Sequence, residues 1–315
     1  MSSPDAFRER WSMIKRPVSA RFEHPLGEIA VRLASGPERP PGRPGEDAAA
    51  VLDCGPDALL LAVADGMGGQ RGGARASKVA VDVLAERLAE GTADSADVVD
   101  AVDEAQVRTK ASRGAGATTL VVTLITPEGV RMFNVGDSEA ILMTPRGKVK
   151  VRTTVQSPVG YLVAAGALAP DEALLHEYRH LLSSAVGIDA MRLEVCPRVA
   201  FAKTDTLVLG SDGMFDNVFE HELLEITRNR DLEDAADELA MLVAARMRRG
   251  GGPPCKPDDM SFILFRPTLA KAASKKKRKK KAKAQPRGNA KAKPRSKAKA
   301  KANSKAKSKA KPAAS

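Results

Sequence analysis

Four apolar segments of the chain each lead to or from an aspartate. The segment LLLAVAD ends at Asp65, RMFNVGD ends at Asp137, LVLGSD ends at Asp212, and Asp258 lies just before SFILF. A carboxylate at the end of a rigid strand is held facing a cleft, which is how an oxygen-rich site is preorganised. Carboxylates that converge there would repel one another, and divalent cations would relieve that repulsion. The pattern therefore indicates a site for hard cations.

Ordinary turn chemistry is the alternative explanation for each aspartate taken alone, because Asp next to Gly is common in turns. Four such aspartates, each attached to an apolar segment, favour the metal site. No His or Cys accompanies them in these motifs, and all-oxygen ligation favours Mg²⁺ or Mn²⁺ over zinc. A glycine such as Gly66 lets the backbone approach closely, so that its carbonyl oxygen could also serve as a ligand.

The elements that would position these aspartates can be located from the spacing of apolar residues. Short β-branched segments separated by turn residues are typical of an antiparallel sheet, whereas apolar residues at helical spacing predict helices. The Pro- and Gly-rich segment 36–45 predicts a loop. We predict strands over residues 58–64, 119–125, 129–135, 139–143, 149–154, 206–210 and 261–266, and helices over 74–90, 95–111, 171–182, 220–230 and 232–249.

The charge of the chain is divided between two regions. Residues 271–315 contain 20 Lys or Arg and no Asp or Glu, which leaves 31 basic and 39 acidic residues in the first 270. Every aromatic residue lies between Phe7 and Phe265, so the tail has nothing from which to build a core. The composition excludes a uniformly basic nucleic-acid-binding fold and predicts an acidic folded body with a disordered basic tail.

Cysteine content and hydropathy predict the compartment. Cys54, Cys196 and Cys255 are an odd number without close pairing, which suggests neither a disulfide framework nor a zinc cluster. The N-terminus lacks the continuous apolar core of a signal peptide, and no stretch reaches the roughly 20 apolar residues needed to cross a bilayer. We therefore expect a cytoplasmic protein without a membrane partner.

Seven short motifs follow one another along the body. Singly, GATT or SAVG would be weak evidence, but ADGMGG, SDGMFD and a terminal DDMS in this order are specific. Over residues 24–267 the body resembles the bacterial members of the type 2C, metal-dependent (PPM) family of Ser/Thr protein phosphatases. The motifs are GED at 45–47, VADGMGG at 63–69, GATT at 116–119, NVGDS at 134–138, SAVG at 184–187, GSDGMFD at 210–216 and DDMS at 258–261.

The resemblance implies an α+β fold, a four-layer αββα sandwich of two antiparallel sheets flanked by helix pairs. It divides the chain into an N-terminal segment (1–23), a metal-dependent phosphatase domain (24–267) and a disordered Lys/Ala-rich basic tail (268–315). It also implies hydrolysis of phosphoserine and phosphothreonine in proteins, in opposition to a Ser/Thr kinase.

The resemblance implies two Mn²⁺ or Mg²⁺ ions and a weaker third site. Asp65 would bridge the two ions, and Gly66 would offer its carbonyl oxygen to one of them. Asp212 and Asp258 would bind the other ion. Asp137, together with Asp212, would belong to the third site.

The same resemblance assigns the chemistry. Glu46 and Asp47 would order water at the metals, so the residues expected to act in catalysis are Glu46, Asp47, Asp65, Asp212 and Asp258. Water acidified by the cations would attack phosphorus directly. Cysteine-based phosphatase chemistry is not expected, because no cysteine begins a C-x₅-R loop.

The phosphate-binding arginine departs from the family pattern. Family members usually place an arginine four residues before the position of Glu46, and that residue here is Gly42. Arg43 is our predicted phosphate ligand, with Arg32 as a second candidate. The displacement motivates an alternative function, a catalytically silent phosphoprotein-binding or nucleic-acid-associated scaffold on the same fold. The complete set of metal aspartates favours the active enzyme.

Two histidines, His176 and His180, are four residues apart on the predicted helix 171–182. This spacing could indicate a metal-binding pair. Without an HExxH pattern or a nearby Cys, we expect these side chains to pack or to form hydrogen bonds instead.

The basic tail resembles in composition the tails of linker histones and histone-like bacterial proteins. Its 20 positive charges predict non-specific binding to nucleic acid through counterion release, with a salt slope of about −0.9 per phosphate contact. A nucleoid-associated location would follow. A solubilising tail, or a tail that binds the acidic body of the same chain, are the alternatives.

Overall fold

The computed structural model describes residues 7–40, 42–67, 72–88, 93–228, 230–249 and 254–268. Its strands are β1 (Arg8–Trp11), β2 (Val18–His24), β3 (Gly27–Ala34), β4 (Ala48–Asp53), β5 (Leu59–Ala64), β6 (Gly66–Met67), β7 (Ala117–Thr118), β8 (Leu120–Thr126), β9 (Gly129–Val135), β10 (Glu139–Met143), β11 (Val149–Arg152), β12 (Glu194–Val195), β13 (Thr206–Gly210) and β14 (Met260–Pro267). Its helices are α1 (Gly72–Arg87), α2 (Ser95–Ala111), α3 (Pro158–Ala164), α4 (Pro170–Ala173), α5 (Asp212–Phe215), α6 (Glu220–Thr227) and α7 (Leu232–Arg249).

Two six-stranded antiparallel sheets form the centre of the body. The first has the strand order β1-β4-β5-β8-β9-β12, and the second has the order β11-β10-β13-β14-β3-β2. β6, which follows β5, and β7, which precedes β8, pair with each other in a separate two-stranded sheet. Within the second sheet β14 pairs with both β13 and β3, so the last described strand is a central one.

Alternation along β5 explains the layers, since successive side chains of a strand point to opposite faces. Leu61 and Val63 belong to the apolar core between the two sheets. Leu60 and Ala62 belong to a second core, formed with α1 and α2. A strand buried on both faces must be apolar throughout, which accounts for the unbroken LLLAVA segment.

The second sheet has the same arrangement. Phe262 and Leu264 of β14 pack with Leu239 and Val243 of α7 in a third core, whereas Ile263 between them lies in the core between the sheets. The four layers are therefore helices, sheet, sheet and helices, which confirms the predicted αββα sandwich.

Strands precede residue 24, although residues 1–23 are predicted to form a separate N-terminal segment. β1 pairs with β4 in the first sheet, and β2 pairs with β3 in the second. Phe7, Trp11 and Phe22 hold the two strands together through ring contacts, with centroids 5.0 Å apart for Phe7–Phe22 and 5.9 Å apart for Trp11–Phe22. These strands extend the folded body beyond the predicted boundary. The basic tail lies outside the described residues.

The predicted helix over 171–182 is wrong. Only α4 is helical there, none of its residues is buried, and turns follow it. Short helices depend on packing of an apolar face, but Leu175 is 56% exposed and Leu181 is 42% exposed. His176 Nδ1 accepts a hydrogen bond from the Tyr178 backbone N–H at 3.2 Å, so the histidines do not share a helical face.

Candidate metal centre

The predicted carboxylates lie where strands begin or end. Asp65 follows β5, and Asp137 lies in the turn between β9 and β10. Asp212 follows β13 as the first residue of α5, Asp258 precedes β14, and Asp47 precedes β4. The charges of the other four all act on Asp65, so the fold brings them together. We call these five residues and Asp216 the acidic cluster.

The backbone at Asp65 is fixed by the neighbouring strands. The Asp65 N–H donates to Thr119 Oγ1 at 2.9 Å, and the Asp65 carbonyl accepts from the Thr118 hydroxyl at 2.8 Å. Residue 66 must be glycine, because a Cβ there would lie 2.3 Å from the Gly73 carbonyl oxygen and 2.5 Å from that of Glu46. Asp65 is therefore held in place through its backbone, and these contacts do not use its carboxylate.

Asp47 is a buried carboxyl at the start of β4, with 2% of its surface exposed. Its Oδ2 accepts a hydrogen bond from Ser261 Oγ at 2.7 Å. Burial, and then the charge of Asp259, raise the pKa of Asp47 to about 8, although the Ser261 and Ser211 hydroxyls act in the opposite direction.

Four other members of the cluster also have raised pKa values. Burial raises the pKa of Asp65 well above its ordinary value, and the charges of Asp47 and Asp212 add to the effect. Burial and the charge of Asp212 raise the pKa of Asp137 to about 8 and that of Asp216 to about 7. The same two causes raise the pKa of Asp258. The cluster therefore favours any cation or proton that enters it.

One lysine already supplies a positive charge. Lys256 Nζ donates a hydrogen bond to Asp212 Oδ2 and lies 3.3 Å from Asp258 Oδ2 and 3.8 Å from Asp216 Oδ2. Burial alone would lower the pKa of this ammonium, but the charges of the three carboxylates raise it above its ordinary value. Lys256 is thus a cation held by oxygens of the acidic cluster.

The donor set fits divalent metal ions. Asp212 Oδ1 is buried and has no hydrogen-bond partner within the described part of the chain, so it is available to a ligand. All donors of the cluster are carboxylate oxygens, which suit Mg²⁺ and Mn²⁺. Among the described residues, no group of three or more His, Cys, Asp or Glu side chains is arranged so that it could hold a metal ion as it stands.

An arginine missed by the sequence analysis lies at this site. Arg39 Nε donates to Asp259 Oδ1 at 2.9 Å, and Arg39 Nη2 donates to Asp259 Oδ2 at 2.5 Å. The same Nη2 lies 3.4 Å from Glu46 Oε2. Asp259 also accepts from the Glu46 backbone N–H at 2.5 Å. The arginine, the predicted catalytic glutamate and the loop before β14 are therefore joined in one network.

The two arginines that were predicted lie elsewhere. Arg43 is exposed, and its described contact is a backbone hydrogen bond from its N–H to the Pro40 carbonyl at 3.1 Å. Arg32 is buried under α7, where its Nη2 lies 2.6 Å from Glu233 Oε1 and 2.7 Å from Asp237 Oδ1. Arg32 therefore stabilises packing of α7 on the second sheet.

A cavity of about 570 Å³ adjoins the acidic cluster. Its lining includes Asp137, Asp212 and Asp216, together with apolar side chains such as Val163 of α3 and Leu223 of α6. The carboxylates thus open onto a concave and partly apolar space of the size typical of ligand sites.

The sequence offers only weak evidence for the roles of Arg39 and Lys256. Lys256 is a single positive charge two residues before Asp258, and Arg39 lies seven residues before Glu46 in a Pro-rich loop. Neither spacing fixes the fold of the loop, so neither predicts where its side chain points.

Comparison with known proteins gives one consistent result. A family model described as "Protein phosphatase 2C" matches residues 39–245. The serine/threonine phosphatase stp of Listeria welshimeri is 30% identical over 206 residues, which cover 61% of this chain and 81% of that protein.

Solved structures agree with this match. The serine/threonine phosphatase PstP/Ppp of Mycobacterium tuberculosis superposes with a TM-score of 0.61 at 27% identity and covers 76% of this chain and 98% of its own. The catalytic domain of PstP in complex with two manganese ions gives a TM-score of 0.59 at 26% identity, covering 77% of this chain and 99% of that one.

The raised pKa values predict how the stability of the metal-free protein depends on pH. Unfolded Asp has a pKa of about 3.9, whereas folded Asp47 and Asp137 have values of about 8. Between these values the folded chain holds more protons than the unfolded chain, so the free energy of unfolding falls as pH rises from 5.5 to 8. Urea unfolding in EDTA at several pH values measures this slope.

Two variants test whether Asp47 contributes to this slope. Asp47→Asn cannot ionise at this position and should make the slope shallower, while the raised pKa of Asp137 maintains part of it. Asp103→Asn, at an exposed position of α2, should keep the wild-type slope. Stability that increased with pH across this window would contradict the assignment.

Proposed function

We propose a residue-level account of catalysis from the premise that the chain belongs to the protein phosphatase 2C family and is a metal-dependent protein Ser/Thr phosphatase. Its substrates are phosphoproteins. The observation that supports our assignment of the site is the acidic cluster, in which the charges of four other aspartates act on Asp65. We further infer that a Ser/Thr kinase supplies the phosphoester that this chain hydrolyses.

We assign the metal-holding role to residues of the acidic cluster. Asp65 would be shared by two Mn²⁺ or Mg²⁺ ions, with Gly66 contributing its carbonyl oxygen. Asp212 and Asp258 would hold one ion, for which the unpartnered Asp212 Oδ1 is suited. Asp137 would complete a weaker third site with Asp212.

The remaining steps depend on the side chains around the cluster. When bound, the cations supply Lewis-acid chemistry, because they acidify water and neutralise charge on the phosphoryl group. Glu46 and Asp47 would order the water that attacks phosphorus. The cavity beside Asp137 and Asp212 accommodates the phosphorylated side chain. The Cys255 thiol donates a hydrogen bond to the Arg246 carbonyl at 3.3 Å, and we assign it no role in catalysis.

We assign phosphate binding to Arg39 in place of Arg43. Arg39 adjoins Glu46, and its described hydrogen bonds use Nε and Nη2, which leaves the Nη1 donors for a phosphate oxygen. A guanidinium held by a carboxylate in this way is pre-organised for oxyanion binding. With Arg39 in this role, the displacement of the family arginine no longer favours the silent-scaffold alternative.

The metal ligands are tested by conservative substitution. Asp65→Asn and Asp212→Asn keep the size of the side chain but remove its charge, so each should reduce kcat/KM for a phosphopeptide with Mn²⁺ by at least about 100-fold, given typical losses of about 3 kcal/mol for a transition-state contact. The matched control Asp103→Asn makes the same chemical change at an exposed position and should retain activity. Equal turnover in all four proteins would refute the assignment.

The two arginines make opposite predictions. Arg39→Ala should raise KM for a phosphopeptide about tenfold or more, as expected for the loss of about 1.5–3 kcal/mol from a charged hydrogen bond. Arg43→Ala should stay within about twofold of wild type, because surface substitutions away from such contacts change little. Steady-state kinetics at saturating Mn²⁺ separates the two. A large KM effect at Arg43 with none at Arg39 would restore the original prediction.

We propose a second, separate property for residues 271–315, which lie outside the described residues. Their 20 positive charges without an acidic residue support binding of nucleic acid without sequence specificity. A tail of this kind would hold the phosphatase near DNA or RNA and would leave its chemistry unchanged.

Removal of residues 271–315 tests this property. The full chain should bind a DNA duplex with an affinity that falls steeply with salt, whereas the truncated chain should show no measurable binding, because its remaining charge is net negative. Fluorescence anisotropy at several salt concentrations provides the measurement. A binding curve that is unchanged by truncation or insensitive to salt would refute the proposal.

A further inference from the structure

The ammonium of Lys256 lies where the proposed ligands of one metal ion meet. It contacts Asp212 through a hydrogen bond and lies 3.3 Å from Asp258 Oδ2. Asp212 and Asp258 are the two residues assigned to the same ion. The lysine and that ion therefore compete for the same oxygens.

The position of Lys256 is fixed by its backbone and does not depend on these ion pairs. Asn217 is fully buried, and its Oδ1 accepts from the Lys256 N–H at 2.9 Å while its Nδ2 donates to the Lys256 carbonyl at 2.9 Å. Pro257 follows, and a residue before proline is restricted to extended conformations. The fold thus directs the side chain of residue 256 towards the acidic cluster.

Arg179, another cation beside the cluster, is held by other groups. Arg179 Nε lies 3.9 Å from Asp216 Oδ2, but its Nη1 is bonded to the Leu174 carbonyl and its Nη2 donates to the Cys255 carbonyl at 3.2 Å. The described contacts of the Lys256 ammonium, in contrast, are all with carboxylates. Its side chain is 23% exposed, and its flexible four-carbon stem allows the ammonium to swing into solvent.

We propose that Lys256 is a built-in counter-cation that competes with the divalent ion held by Asp212 and Asp258. In the metal-free protein it neutralises these carboxylates and keeps the cluster folded. When the ion binds, the ammonium is displaced, which makes this ion the weaker and more exchangeable of the two. The inference rests on the proposed assignment of Asp212 and Asp258 as ligands.

The variant that tests it is Lys256→Met, which keeps the length of the side chain but removes the charge. Calorimetric titration of Mn²⁺ into the full chain, previously stripped with EDTA, gives the affinity of each ion. We expect one Mn²⁺ to bind at least tenfold more tightly than in wild type and the other to stay within twofold. Lys110→Met is the matched control, since it removes another ammonium–carboxylate pair, with Asp189, at an exposed position, and it should leave both affinities unchanged.

Thermal unfolding provides a readout that is independent of activity. Lys256→Met should lower Tm in EDTA and should match wild type at saturating Mn²⁺, because the ion replaces the lost charge. A lysine that only stabilised the fold would lower Tm under both conditions. Lys256→Gln repeats the test if the Met variant does not fold.

Several results would overturn the proposal. Equal or weaker Mn²⁺ affinity in Lys256→Met would exclude competition. An unchanged Mn²⁺ affinity with a higher KM for a phosphopeptide would make Lys256 a phosphate ligand instead. If wild type itself bound no Mn²⁺, the assignment of Asp212 and Asp258 would fail together with the inference, which distinguishes this failure from that of Lys256 alone.

Discussion

Mutual repulsion among buried carboxylates is the constraint on which the rest of this structure depends. An ionised carboxylate taken out of water must be neutralised, paired or protonated. Asp47 and Asp65 meet that requirement through raised pKa values, and Asp212 meets it through the ammonium of Lys256. Divalent cations would neutralise several of these carboxylates at once. The same crowding that costs stability in the metal-free protein is the source of affinity for metal.

The sandwich supplies the stiffness that holds such charges together. Every member of the acidic cluster except Asp216, which caps the end of α5, adjoins a strand paired on both sides, such as β5 between β4 and β8 or β14 between β13 and β3. The apolar side chains of these strands fill separate cores on the two faces of each sheet. A carboxylate at the end of such a strand cannot move away from its neighbours without disturbing close-packed residues. The sheets therefore hold the carboxylates at their ends in fixed positions.

Much of the site could be predicted because its signals are local. Asp65 and Asp212 each follow an apolar strand whose residues must be buried, so strand and carboxylate are recognised together. The order of the motifs then identifies the fold. Arg39 and Lys256 could not be predicted, since their side chains are directed by long-range partners, Asp259 and Asn217, which no local pattern reveals.

The one predicted helix that is absent has a physical explanation of the same kind. The segment after α4 has apolar residues at helical spacing, but Leu175 and Leu181 remain largely exposed. Spacing alone does not stabilise a helix when its apolar face remains in water. Strands β1 and β2 show the converse case, because these short segments are stabilised by pairing with β4 and β3 at the edges of the two sheets.

The central place of β14 sets the order in which this protein can be completed during synthesis. The strand inserts between β3 and β13, whose sequences leave the ribosome much earlier. Until residues 260–267 emerge, these two strands lack a common neighbour, and Asp258 has no fixed position beside Asp212. The acidic residues are therefore assembled only when the body is nearly finished. A nascent chain therefore cannot bring the acidic cluster together completely before β14, the last of the described strands, has joined the second sheet.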